Sequence, residues 1–127
     1  MRPTILIVTE EQDRFYAVAT TLKERINPDI HWADSGNAAL AAAGNLSPLL
    51  AIIDESLPDM SGMEFARDLL KVNALINTAL VSGLSPEDFH EASEGLGVLV
   101  HLPVSPEEKN AEDIVSGLKS VFALPAD

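Results

Sequence analysis

The sequence predicts a doubly wound α/β sandwich, a parallel sheet of five strands with helices on both faces. Short runs of consecutive apolar and β-branched residues, among them Ile5-Leu6-Ile7-Val8 and Ala51-Ile52-Ile53, read as strands buried on both sides. Amphipathic stretches of helical spacing separate these runs. Crossovers of that length join parallel strands in a right-handed sense. The chain of 127 residues, 46% hydrophobic, is long enough for one domain with a sizeable core and too short for two.

The elements follow in order. Residues 4–9 form the first strand. Residues 11–26 are helical, with Phe15, Val18, Ala19, Leu22 and Ile26 on one face, and Asn27-Pro28-Asp29 breaks the helix. Residues 30–33 are a short strand. Asp34-Ser35-Gly36 can cap an alanine-rich helix over 37–44. Residues 48–53 are the third strand, and Ser61 can cap a helix over 63–72 that buries Phe65, Ala66, Leu69 and Leu70. Residues 78–81 are the fourth strand. Ser85-Pro86-Glu87 opens a helix over 88–94, stopped by Gly95 and Gly97. Residues 98–102 are the fifth strand. Ser105-Pro106-Glu107 repeats the helix-start pattern, and the last helix runs to about 122, burying Ile114, Val115, Leu118, Val121 and Phe122. Five βα units of this kind suit the flavodoxin-like strand order 2-1-3-4-5. Its switch point lies between strands one and three and sets Thr9-Glu10 beside Asp54.

Composition narrows the function. Twenty acidic and eight basic residues give a net charge of −12, which argues against nucleic acid and against an anionic membrane surface. A protein partner or a cation fits better. The absence of cysteine excludes disulfides and thiolate metal sites. No apolar run approaches the ~20 residues that cross a bilayer. The N-terminus lacks signal-peptide architecture, so a cytoplasmic location is expected.

The most informative stretch is Asp54-Glu55-Ser56-Leu57-Pro58-Asp59-Met60-Ser61-Gly62, an acid at the end of a buried strand followed by a turn with Pro58 and Gly62. It combines with Ile5-Leu6-Ile7-Val8 followed by acids, with Ala79-Leu80-Val81-Ser82-Gly83, and with Pro103 after strand five. In this order and spacing the chain resembles, over its whole length, the receiver domain of two-component response regulators, in an atypical or degenerate form. The resemblance implies that Asp54 accepts a phosphoryl group from a histidine kinase or phosphotransfer protein. It also implies a magnesium ion held by Glu10, Asp54 and the backbone carbonyl of Ser56, with oxygen ligands of the kind magnesium takes. Ser82 matches the switch hydroxyl that contacts the phosphoryl group, and Gly83 the small residue beside it. A cis peptide is implied at Leu102-Pro103. Output would pass to a downstream protein partner, and the helix 4–strand 5–helix 5 face is the implied route to a homodimer.

Three residues depart from the pattern of that family. Thr9 stands where the first of two strand-one acids is usual, leaving Glu10 in register. Leu102 replaces the lysine that gives the phosphoryl group its countercharge. Leu99 replaces the aromatic ring whose rotation reports activation. Two readings follow. One is a stand-alone phosphoacceptor comprising residues 1–127, not an enzyme. The alternative is a pseudo-receiver, a binding or dimerisation module indifferent to phosphorylation. An enzyme on the same fold ranks lower. The first loop, Thr9-Glu10-Glu11-Gln12, is too acidic to cradle a flavin phosphate, and Ser56 stands where a haloacid-dehalogenase-like phosphatase needs a second aspartate.

Other candidates have simpler readings. Glu11 is expected to favour the positive helix start. Asp13 is expected to be solvent-exposed, and Asp59 to serve the turn after Pro58. His31, His90 and His101 lack metal-ligand spacing, and strand alternation is expected to point His101 away from the site. Trp32 reads as a packing residue on an edge strand.

Overall fold

A computed structural model describes residues 2–121. Its elements are β1 (Thr4–Val8), α1 (Tyr16–Ile26), β2 (Asp29–Ala33), α2 (Gly36–Leu46), β3 (Leu50–Ile53), α3 (Gly62–Val72), β4 (Asn77–Val81), α4 (Pro86–Ala92), β5 (Val100–Leu102) and α5 (Glu108–Val121), with a 3-10 turn (Gln12–Phe15) before α1. The strands form one parallel sheet in the order β2-β1-β3-β4-β5, as expected.

Strand alternation divides the apolar residues between two cores. Ile5, Ile7, Leu50, Ile52, Ala79 and Val81 meet Phe15, Val18, Leu22, Ala111, Ile114 and Leu118 from α1 and α5 and the turn before α1. Leu6, Val8, Ala51, Ile53 and Leu80 meet Ala39, Ala43, Phe65, Ala66, Leu69 and Phe89 from α2, α3 and α4. Fully burying one of the Val, Leu, Ile or Phe side chains among these contributes about 1.5–3 kcal/mol relative to leaving it exposed. The central strands, buried on both faces, therefore anchor the sheet.

Helix ends largely obey local chemistry. Ser35, Ser61 and Ser85 each accept a hydrogen bond from the backbone N–H three residues on, at 3.1, 3.1 and 3.2 Å. Ser61 and Glu64 form a reciprocal capping box. Pro86 takes the first turn of α4, and Gly95, with φ +86°, follows that helix. Asn27 closes α1 in the left-handed conformation, φ 47°.

Several expectations are corrected. The first helix is split, because Arg14 N–H bonds back three residues to the Glu11 carbonyl at 3.1 Å and tightens that turn to 3-10. α5 starts at Glu108, beyond the Ser105-Pro106 pattern. There the Asn110 side chain accepts from Glu107 N–H at 2.7 Å and organises the start instead of Ser105. β5 is shorter than expected, beginning at Val100. No cis peptide occurs among the described residues, so Leu102-Pro103 is trans, the ordinary preference of an X–Pro bond. Leu99 packs against the core on the α5 side, where it lies against Gly117. Trp32 meets Tyr16 edge to face at 6.1 Å. Val121 is exposed, so the buried stripe of α5 ends at Leu118, and Phe122 lies outside the described residues.

Candidate functional site

Backbone pairing assembles the site. Val8 faces Ile53 across the β1–β3 ladder, and Asp54 N–H donates to the Val8 carbonyl at 2.9 Å. Thr9 and Asp54 therefore leave the sheet side by side, at the carboxyl end of its centre. Asp54 is 4% exposed and is the one buried acid among the described residues. A buried carboxylate needs partners for both oxygens. Oδ2 accepts from the Thr9 hydroxyl at 2.7 Å and from Arg14 Nη1 at 2.8 Å. Oδ1 accepts from Glu55 N–H at 2.8 Å and from Arg14 Nη2 at 3.2 Å. Thr9 does double work, since its hydroxyl oxygen also accepts from Glu11 N–H at 2.9 Å.

Arg14 thus grips Asp54 as a two-pronged fork, the geometry for which guanidinium is suited. Its side chain is 24% exposed, and the same guanidinium donates to the Val104 carbonyl and lies 3.7 Å from the Glu11 carboxylate. The 3-10 turn aligns residues 11 and 14 on one side, so Glu11 and Arg14 meet. Glu11 is accordingly more than a helix-start acid. No motif in the sequence marks Arg14. The available signal was the missing lysine, because a buried aspartate without that countercharge needs another cation.

Glu10, Asp54 and Ser56 line one hollow of about 450 Å³, with Glu11, Arg14, Glu55, Val104 and Ser105. Ser82 lines an adjoining hollow with Gly83, His101, Pro103 and Lys109, and Val104 borders both. The expected group of 10, 54 and 82 is therefore distributed over two neighbouring spaces. Ser82 is buried, and its hydroxyl oxygen accepts from Leu84 N–H at 3.1 Å. Gly83 N–H donates to Glu55 Oε2 at 2.8 Å, which ties the end of β4 to the residue after Asp54. A Cβ at Gly83 would make ordinary contact with Val104 at 3.5 Å, so the space there is not reserved for glycine. Lys109, in the first turn of α5, approaches the Ser82 hollow although it is distant in the sequence pattern.

Leu102 is fully buried in the α1–α5 core and contributes nothing polar to the site. His101 corrects an expectation. It stacks on Phe89 at 3.9 Å between ring centroids, and its Nε2 hydrogen-bonds with the Ser82 carbonyl at 2.9 Å, so it supports the Ser82 strand end. Asp59 does more than shape its turn. It accepts from Gly36 N–H at 2.8 Å and Asn37 N–H at 2.9 Å, capping α2 from a distant loop. The Asn37 N–H and then the Gly36 N–H hold its carboxyl below the ordinary 3.8.

The model of the response regulator receiver domain matches residues 5–103. The chain belongs to that family. Solved structures agree in fold. A CheY-like receiver domain protein from Methanospirillum hungatei aligns with a TM-score of 0.77 at 21% identity, covering 95% of this chain and 94% of that one. The chemotaxis response regulator CheY4 of Vibrio cholerae aligns with a TM-score of 0.77 at 18% identity, covering 96% and 100%. The receiver domain of AraT from Geobacillus stearothermophilus aligns with a TM-score of 0.80 at 18% identity, covering 95% of each chain. A comparison with curated proteins finds no match.

Receivers are signalling domains that work with histidine kinases or phosphotransfer proteins, and the family generally binds magnesium at its acidic pocket. In this receiver the oxygen donors are of the right chemical type, but their arrangement does not fit the ion. Both oxygens of Asp54 carry the Arg14 fork, and Glu10 is exposed. Among the described residues no group of three or more His, Cys, Asp or Glu side chains could hold a metal. The expected ligand set of Glu10, Asp54 and the Ser56 carbonyl thus shares a hollow without forming a ready metal site. The same residues show no helix long and apolar enough to cross a membrane.

Proposed function

We propose that Asp54 is the phosphoacceptor of this receiver, and that residues 1–127 act as one signalling module read by a protein partner. The supporting observation is the placement of its one buried acid, among the described residues, at the switch point of the sheet, on the wall of a solvent-open hollow. In the transfer, an Asp54 oxygen attacks the phosphorus of a phosphohistidine on the donor protein. The new P–O bond forms as the P–N bond breaks, and the imidazole nitrogen keeps the electron pair. One oxygen must first leave its present hydrogen bonds. Ser82 is the nearby hydroxyl assigned to the phosphoryl group, and its release from Leu84 N–H would accompany the reaction. The α4–β5–α5 face is the candidate contact surface for output.

A second reading, a phosphorylation-independent binding module, is favoured by the full occupation of Asp54 and by the burial of Leu102. Incubation with magnesium and phosphoramidate, followed by intact-mass measurement, separates the two. The first reading expects the mass of one phosphoryl group on the wild type and none on Asp54→Asn. An unmodified wild type, under conditions that modify an intact receiver, supports the second.

A further inference from the structure

The hollow around Asp54 is strongly acidic. Glu10, Glu11, Asp54 and Glu55 all line it, and Arg14 is the one basic residue in the lining. Such a space attracts cations, and this one already holds a cation supplied by the chain. The guanidinium has three independent attachments: the two-pronged contact with Asp54, the Val104 carbonyl and the Glu11 carboxylate. The Asp54 oxygens that a divalent ion would need are the ones that Arg14 occupies. Thr9 belongs to the same arrangement. A hydroxyl at that position donates to Asp54 at 2.7 Å, whereas a second acid would compete for the single guanidinium.

We infer that Arg14 is a resident cation of this pocket, which competes with divalent metal for the carboxylate oxygens of Asp54. The inference deepens the proposed function, resting on the reading of this hollow as the reactive one. It concerns the occupancy of Asp54, and phosphoryl transfer need not occur for it to be tested.

The experiment is a titration with Mg²⁺ alone. It is followed by calorimetry and by amide NMR shifts at Glu10 and Glu55, on the wild type, Arg14→Ala, Arg14→Lys and Arg14→Ala/Asp54→Asn. Removing the resident charge should tighten Mg²⁺ binding about tenfold or more in Arg14→Ala, in keeping with the coupling seen for close charge pairs. The gain should vanish in the double variant. Arg14→Lys keeps a charge but loses the fork, and should gain a few-fold. Equal or weaker Mg²⁺ binding by Arg14→Ala overturns the inference, as does a gain that survives Asp54→Asn. If Arg14→Ala does not fold, the lysine variant decides, and no gain there overturns it. Tighter metal binding without phosphorylation by phosphoramidate would uphold the resident cation and reject the phosphoacceptor reading.

Discussion

Asp59 illustrates what one side chain contributes. Its carboxylate accepts two N–H groups at the start of α2, where the helix dipole also favours negative charge. The folded state therefore holds it below its ordinary 3.8. A carboxyl with a depressed folded value contributes stability that is fully present above the unfolded value and is lost as pH falls through the folded one. Asp59→Asn should be less stable than the wild type at neutral pH. The difference should shrink as the pH falls below about 4, where the unfolded chain takes up this proton, and on through the lower value of the folded carboxyl. Urea unfolding of both proteins at neutral and acidic pH checks this, and a pH-independent difference would contradict it. Leu102 gives a second test at this scale. Restoring the family lysine by Leu102→Lys would place an ammonium in the α1–α5 core, where Leu102 is fully buried. A destabilisation of about 3 kcal/mol or more is expected in urea unfolding, because burying an unpaired charge is costly. Unchanged stability would show that residue 102 can turn towards the site after all.

At the scale of elements, α3 shows how closely the fold is drawn around Asp54. A Cβ on Gly62 would lie 2.3 Å from the Asp54 carbonyl oxygen, so only glycine permits this approach of helix to strand end. The same turn is tied by Gly62 N–H to the Glu55 carbonyl at 2.9 Å. Gly62→Ala should cost about 1–3 kcal/mol through the forced backbone shift and should move the Asp54 and Glu55 amide resonances. A variant with wild-type stability and spectra would contradict the close packing. Ser35, Ser61 and Ser85 were legible as caps because capping is written within four consecutive residues. The 3-10 turn before α1 was not. Phe15 and Val18 satisfy the same apolar spacing whichever hydrogen-bond pattern precedes them. The start of α5 departs from the local Ser-Pro pattern for a related reason, since the Asn110 side chain organises it.

At the scale of the molecule, the alternation of buried runs with amphipathic helices carries the topology. The five strands order themselves as that pattern implies, and the order alone sets Thr9 beside Asp54. What the pattern does not carry is contact across sequence distance. Arg14 reaches Asp54 over 40 positions, and Asp59 caps a helix that begins 23 residues earlier. A motif also names the family position of Leu102 without revealing that its side chain joins the core. The central claim is energetic coupling between Arg14 and Asp54 in the folded protein. A double-mutant cycle with Arg14→Met and Asp54→Asn, read by urea unfolding without divalent ions, measures it most directly. The paired charges, one largely buried and the other partly so, should show a favourable coupling of about 1–3 kcal/mol. Additive effects, with coupling indistinguishable from zero, would contradict the claim.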